Sequence, residues 1–267
     1  MLIAQITDTH IRAGGAFAFG GKVDTSQRLR ATVHFLARMA PKPTVVLATG
    51  DLVDTGDPED YRQLLQLLAP LGMPVLPIPG NHDARVPMCA AFPDVARRLD
   101  QPFVQYVVDE YPVRLIALDT LEDGRIGGRM CAERLTWIER VLAGSARPTV
   151  LFMHHPPFDY GAAPNDDMHC DGAEAMQRIV SRHHNVLAVL CGHLHRSTMR
   201  HWGGTVVCTV PATAPMLEIK LDGGHPGGWI DSPPMVGLHL WREGDGLVSH
   251  VVAVDERERY SPFVQTE

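Results

Sequence analysis

No C-x-x-C pair occurs among the five cysteines, Cys89, Cys131, Cys170, Cys191 and Cys208, whose number is odd and whose spacings are long. That excludes a disulfide framework and points to a reducing compartment. No apolar stretch approaches the ~20 residues that a membrane span needs. The opening Met-Leu-Ile-Ala-Gln-Ile-Thr-Asp lacks the basic and apolar regions of a secretory signal. A soluble, cytoplasmic protein without a membrane partner is expected. Positive charge is scarce: 24 Lys and Arg stand against 31 Asp and Glu, a net charge of −7. A partnership with duplex nucleic acid is not expected. An anionic substrate would need local cations, from metal ions or a few placed arginines.

What is present is ordinary in bulk and unusual in detail. Hydrophobic residues make up 45% and charged residues 21%, which excludes a disordered, collagenous or coiled-coil chain. A length of 267 residues allows one large or two small domains. With no linker-like composition shift and no internal repeat, a single domain over 1–267 is expected. Short apolar runs alternate with helical patterns. Strands are expected at 2–6, 44–48, 75–78, 113–118, 149–153 and 186–190. Helices are expected at 25–39, from Pro58 to Leu68, at 133–142 and at 173–182. Beyond Gly203 the runs at 205–210, 236–241 and 247–254 read as strands without intervening helices. Gly244-Asp245-Gly246 marks a hairpin turn between the last two. The segment 205–267 is thus mainly β and is the expected oligomer interface. Its Gly- and Pro-rich stretch, 221–234, reads as a loop near a mouth or an interface, with His225 a lesser candidate for substrate contact.

The fourteen histidines carry the chemistry. Asp8-Thr-His10 follows the first strand, and Gly50-Asp51 the second. Gly80-Asn81-His82-Asp83 follows the third, His154-His155-Pro156 the run at 149–153, and Gly192-His193-Leu-His195 the run at 186–190. In open α/β sheets, ligands bind at the carboxyl ends of strands. Five strands therefore deliver Asp8, His10, Asp51, Asn81, His154, His193 and His195 toward one edge. Carboxylate, imidazole and amide oxygen without thiolate suit iron, manganese, zinc or cobalt. Seven donors exceed one tetrahedral site and fit two metal ions sharing one donor. Asp51, with two carboxylate oxygens, is a reasonable bridge. Two metals about 3.5–4 Å apart clamp the attacking and leaving oxygens of a phosphoryl transfer.

These five motifs, in this order and spacing, resemble the signatures of the calcineurin-like metallophosphoesterases. The chain most resembles the bacterial class III phosphodiesterases, of glycerophosphodiesterase and cyclic-nucleotide phosphodiesterase type. The resemblance implies an α/β (α+β) fold, a four-layer αββα sandwich of two mixed β-sheets. It implies a first metal held by Asp8, His10, Asp51 and His195, and a second by Asp51, Asn81, His154 and His193. It implies hydrolysis of small phosphodiesters by attack of a metal-bridging hydroxide on phosphorus. Asp51 and Asn81 then join His82 as the catalytic set, with His82 beside the scissile phosphate, binding an oxygen or protonating the leaving group. Asp83 would orient its neighbours, and His155 would stand behind the ligands. Related enzymes are commonly dimers or larger, so a homo-oligomer is expected. One departure matters: the turn Val210-Pro211-Ala212-Thr213-Ala214-Pro215-Met216 lacks the histidine found there in glycerophosphodiesterase-like enzymes.

Substrate contacts are expected from His82 and Asn81. Arg12 and Arg85, close to the first and third motifs, could reach a phosphate. Phe19, among Gly14, Gly15, Gly20 and Gly21, is expected in a loop over the site. The remaining histidines have plainer readings, such as a structural place inside a helix for His34 and helix C-terminal partners for His183 and His184. Two alternatives share the scaffold: a phosphomonoesterase, which would want an added cationic clamp, and a non-catalytic binding module, which would be expected to lack several of the seven donors.

Overall fold

The computed structural model describes residues 1–99, 102–161, 168–221 and 227–254. His225 lies outside the described residues. The first half contains β1 (Leu2–Ile6), α1 (Thr25–Arg38), β2 (Val45–Thr49), α2 (Pro58–Leu68), β3 (Val75–Ile78), α3 (Arg85–Ala91), α4 (Pro93–Ala96), β4 (Tyr106–Val108) and β5 (Arg114–Ala117). Next come β6 (Gly128–Arg129), α5 (Ala132–Ala143), β7 (Thr149–Phe152), β8 (Cys170–Asp171), α6 (Ala173–Val180) and β9 (Val186–Cys191). The tail contains β10 (Thr198–Trp202), β11 (Thr205–Thr209), β12 (Met216–Leu217), β13 (Trp229–Ile230), β14 (Met235–Arg242) and β15 (Gly246–Ala253).

Two mixed sheets form. The first runs β15-β14-β1-β2-β3, with β1, β2 and β3 parallel and β14 antiparallel to β1. The second runs β10-β11-β9-β7-β5-β4, parallel from β11 to β5 and antiparallel at both edges. Val150 and Phe152 of β7, with Ala188 and Leu190 of β9, pack into the core shared with Ile3 and Leu47 of the first sheet. Leu151 and Val189 face the other way, against Trp137 and Ile138 of α5 and Met176 and Ile179 of α6. This alternation buries the second sheet on both faces, which is why its central strands read as unbroken apolar runs. Leu29, Val33 and Leu36 of α1 and Leu64 and Leu68 of α2 also join the larger core. The helix–sheet–sheet–helix layering is that of an αββα sandwich.

Local signals act as expected. The Asp24 carboxylate accepts from the Gln27 amide at 2.8 Å and starts α1. Gly244 and Gly246 both take positive φ in the β14–β15 turn. One polar group inside the first sheet is fully satisfied. Gln5 Nε2 donates to Thr49 Oγ1 and to the Cys191 carbonyl, both at 2.9 Å, joining the two sheets. Gln5 Oε1 accepts from His239 Nε2 at 3.1 Å, and Ser249 Oγ donates to His239 Nδ1 at 2.8 Å.

Candidate metal centre

The loops that leave β1, β2, β3, β7 and β9 meet at one edge of the sandwich. Six non-glycine residues among the described ones take positive φ: Asp8, His10, Phe19, Asp51, His193 and His195. Left-handed backbone is costly for such residues and clusters where function requires it. All six are residues singled out from the sequence. The glycines before the motifs allow close approach. A Cβ on Gly50 would stand 2.3 Å from His154 Nδ1, and one on Gly80 2.3 Å from Asp51 Oδ1.

The donors converge within a few ångströms. Asp8, His10 and His195 form one cluster, and Asp8, Asp51 and His154 another. Asp51 also groups with His10 and His82, which places it centrally. His195 Nε2 lies 3.3 Å from Asp8 Oδ1, and His154 Nε2 lies 3.4 Å from Asp51 Oδ2 and 3.2 Å from Asn81 Oδ1. The opposite nitrogens are anchored. His154 Nδ1 donates to the Thr49 carbonyl at 2.7 Å, His195 Nδ1 to the Pro215 carbonyl at 2.8 Å, and His10 Nδ1 to Asp54 Oδ1 at 3.3 Å. Each bond holds Nδ1 as the donor and aims Nε2 inward at the carboxylates, the orientation a metal ligand needs.

Two observations test whether these residues fit metal ions. The Nε2 atoms of His10 and His195 face each other at 3.3 Å although both Nδ1 atoms are donors. His193 Nε2 is buried with no hydrogen-bond partner. Two ring nitrogens turned to each other beside a carboxylate, and an orphaned buried ring nitrogen, are the environment that a bound cation would satisfy. The protonation states agree. Burial opposes ionisation of Asp8, but His195 and His154 hold its pKa down to about 2. Burial, reinforced by His154, lowers the pKa of His193 to about 3, so its ring stays neutral. The Asp51 and Asp8 carboxylates in turn draw the pKa of His154 up to about 9, against its burial, and that of His195 above the ordinary value, so bound cations would take the place of the protons these carboxylates attract.

His82 stands at the opening. Its Nδ1 donates to the Asp54 carbonyl at 2.9 Å, and its backbone amide donates to Asp51 Oδ1 at 2.8 Å. Burial disfavours its charge, yet the Asp51 carboxylate and the Asp54 carbonyl raise its pKa above the ordinary value. Asp83 orients, as expected: its carboxylate accepts from the amides of Gly80, Leu52 and Val53 and from the Tyr61 hydroxyl, joining two ligand loops. His155 is buried, with Nε2 donating to the Ile126 carbonyl at 2.9 Å and Nδ1 accepting from Thr120 Oγ1 at 2.7 Å. Both of its nitrogens are occupied, so its ring packs beside the donors without an open lone pair.

A cavity of about 350 Å³ opens over the cluster. Its floor is His10, Asp51, Asn81, His193 and His195, and its sides are Asp54, His82, Phe19, Ile126, Met168 and Leu217. Phe19 lies in a turn closed by the Ala18–Val23 bridge, with its ring 5.2 Å from His10 and 6.1 Å from Trp229. The described part of the Gly- and Pro-rich stretch thus reaches the mouth through Trp229. The two arginines fall elsewhere. Arg85 corrects the expectation of a phosphate contact: its guanidinium donates to both oxygens of Asp119, at 2.7 and 3.0 Å, and to the Leu121 carbonyl. Arg12 stands beside Asp54, Nε 3.8 Å from Oδ2, outside the cavity lining. Sequence reasoning missed Asp54, Ile126, Met168 and Leu217. Only Asp54 carried a local signal, three residues after Asp51.

Residues 1–197 match the calcineurin-like phosphoesterase family. The chain is 31% identical over 258 residues to the glycerophosphodiester phosphodiesterase of Enterobacter lignolyticus, covering 94% of this chain and 90% of that protein. It is 30% identical over 268 residues to the cAMP/cGMP dual specificity phosphodiesterase of Mycobacterium tuberculosis, covering 98% and 82%. Among solved structures, a dimetal phosphatase from Danio rerio superposes with a TM-score of 0.65 at 15% identity, covering 96% of this chain and 99% of that one.

Proposed function

Since the chain belongs to the calcineurin-like phosphoesterase family, we infer that it is a metal-dependent phosphoric diester hydrolase acting on small phosphodiesters of glycerophosphodiester or cyclic-nucleotide type. The observation that carries this is the unpartnered buried Nε2 of His193 within a converging set of imidazoles and carboxylates. In this reading Asp8, His10, Asp51 and His195 hold one ion, and Asp51, Asn81, His154 and His193 the other. Bound there, two divalent ions supply Lewis-acid charge and a low-pKa water.

The chain's own groups do the rest. With Nδ1 committed to the Asp54 carbonyl, His82 turns Nε2 toward the substrate, where it binds a phosphoryl oxygen or passes a proton to the leaving alkoxide. Asn81 keeps Oδ1 for the metal, so its amide NH2 can donate to phosphate. Phe19 covers the site. The whole chain acts as one domain, and the five free cysteines support a reducing, cytoplasmic setting. Edge strand β15 exposes Val248 and Val251, which supports a homo-oligomer through the β tail, to be checked by sedimentation. The net charge of −7 supports a small-molecule substrate over duplex nucleic acid.

The test is hydrolysis of bis(p-nitrophenyl) phosphate and p-nitrophenyl phosphate by metal-reconstituted protein, wild type against Asn81→Ala. A diester preference lost in the variant is expected. A monoester preference, or inactivity with two metals bound, would overturn the reading.

A further inference from the structure

The cavity is unusual in what faces the donors. Phe19, Ile126, Met168 and Leu217 supply the apolar wall of the lining, and among the described residues no lysine or arginine lines the space. Ile126 is 51% exposed, an uncovered aliphatic group at the mouth of a polar centre. The wall is held by the scaffold. The buried His155 donates Nε2 to the Ile126 carbonyl at 2.9 Å. Arg196 donates to the Leu217 carbonyl. Leu217 pairs with Trp229 across β12 and β13, and the Trp229 ring lies 6.1 Å from Phe19.

Arg12, outside the lining, faces the Asp54 carboxylate, and other arginines are held by protein groups. Arg85 is bonded to Asp119, Arg125 to Asp171, and Arg28 to the Thr213 and Ser232 carbonyls and Asp231. A second phosphate charge would find no lysine or arginine in the lining among the described residues. A polyol group laid on this wall would face carbon with its hydroxyls, exchanging water for no partner. An apolar group would instead cover Ile126, Phe19 and Leu217 and remove their surface from water.

We propose that the Phe19–Ile126–Met168–Leu217 wall selects a monoanionic phosphodiester whose ester group on that side is an aryl or alkyl group, not a polyol. This rests on the phosphodiesterase reading and narrows it. His155 and Arg196 are positioning residues for the wall.

The test is equilibrium binding to metal-loaded protein of two phosphinates, which have no ester bond to cleave. Diphenylphosphinate carries apolar groups, and bis(hydroxymethyl)phosphinate carries hydroxyls. Calorimetric titration is expected to show the diphenyl compound binding at least about tenfold tighter. Ile126→Asn and Leu217→Asn, both at half-buried or exposed positions, should erase most of that margin while thermal melting stays within a few degrees. Equal affinities, or a margin that survives both substitutions, would overturn the proposal. Turnover of bis(p-nitrophenyl) phosphate by the same preparation separates the two claims. Turnover without an apolar margin sinks this inference alone, and no turnover sinks the phosphodiesterase reading with it.

Discussion

The interior of the first sheet and the carboxyl edge of the strands each bury histidine, and they treat it in opposite ways. His239 has Gln5 Oε1 on one nitrogen and Ser249 Oγ on the other. His193 has a buried Nε2 with no partner, and His10 and His195 turn their Nε2 atoms to each other and to the carboxylates rather than to a fixed neutral partner. His155, with its ring centroid 4.5 Å from that of His193, belongs to the first kind although it sits in the second region. Proximity to the site therefore does not make a histidine a ligand. An unspent lone pair does.

The sharpest way to break this contrast is to remove the carboxylate proposed to bridge the two ions. Asp51→Ala is expected to lower kcat/KM by about 10³-fold or more, because both ions lose a ligand and several kcal/mol of transition-state stabilisation go with them. Metal analysis of the purified variant should find fewer than two ions per chain. A variant that keeps both ions and near-normal turnover would show that Asp51 is not the bridge.

Chelation tests the same contrast through stability. If the edge is assembled around cations, saturating metal at about 1,000 times its Kd stabilises the fold by about 4 kcal/mol per site. For a chain of this size that is about 10 °C in Tm. Scanning calorimetry with and without chelator measures it, and an unchanged Tm would mean the facing Nε2 atoms are tolerated without metal.

The interior region has its own signature, which is pH. Burial, aided by the neighbouring His250, depresses the pKa of His239 to about 4. The unfolded chain, with an ordinary histidine pKa near 6.5, binds this proton first as pH falls. Stability is therefore full above pH ~6.5 and declines below it, by about 3 kcal/mol once pH 4 is reached. Urea unfolding of wild type and His239→Gln across this range isolates the contribution. Parallel curves for the two proteins would refute it.

How much of this was legible in the sequence follows the same division. Asp8, Asp51, His154 and His193 could be read because each closes a buried apolar run, and the strands formed within two residues of their expected bounds. The edge strands β4 and β10 were not read. Thr198–Trp202 is mostly exposed and carries no alternation. Arg85 looked like a phosphate ligand because its partner, Asp119, is 34 residues away and only folding brings them together. Ile126, Met168 and Leu217 were invisible for a different reason. An apolar residue in a loop carries the same signal whether it faces a core or a substrate. Asp54 lay in a loop without periodicity, and its role is purely relational: it holds His10 by its carboxylate and His82 by its carbonyl.

Asp54 gives the smallest of these effects and separates its two bonds. Asp54→Asn preserves the carbonyl that fixes His82 and removes the charge on the group accepting from His10 Nδ1. Residues that orient a metal ligand typically cost 10–100-fold in metal affinity or activity when replaced, so a loss of roughly that size is expected. The loss should appear in the affinity of the ion that His10 binds, and raising the metal concentration should recover turnover. If kcat stays low at saturating metal, Asp54 acts through His82 or on substrate directly. The bond to His10 would then not be what makes that histidine a ligand.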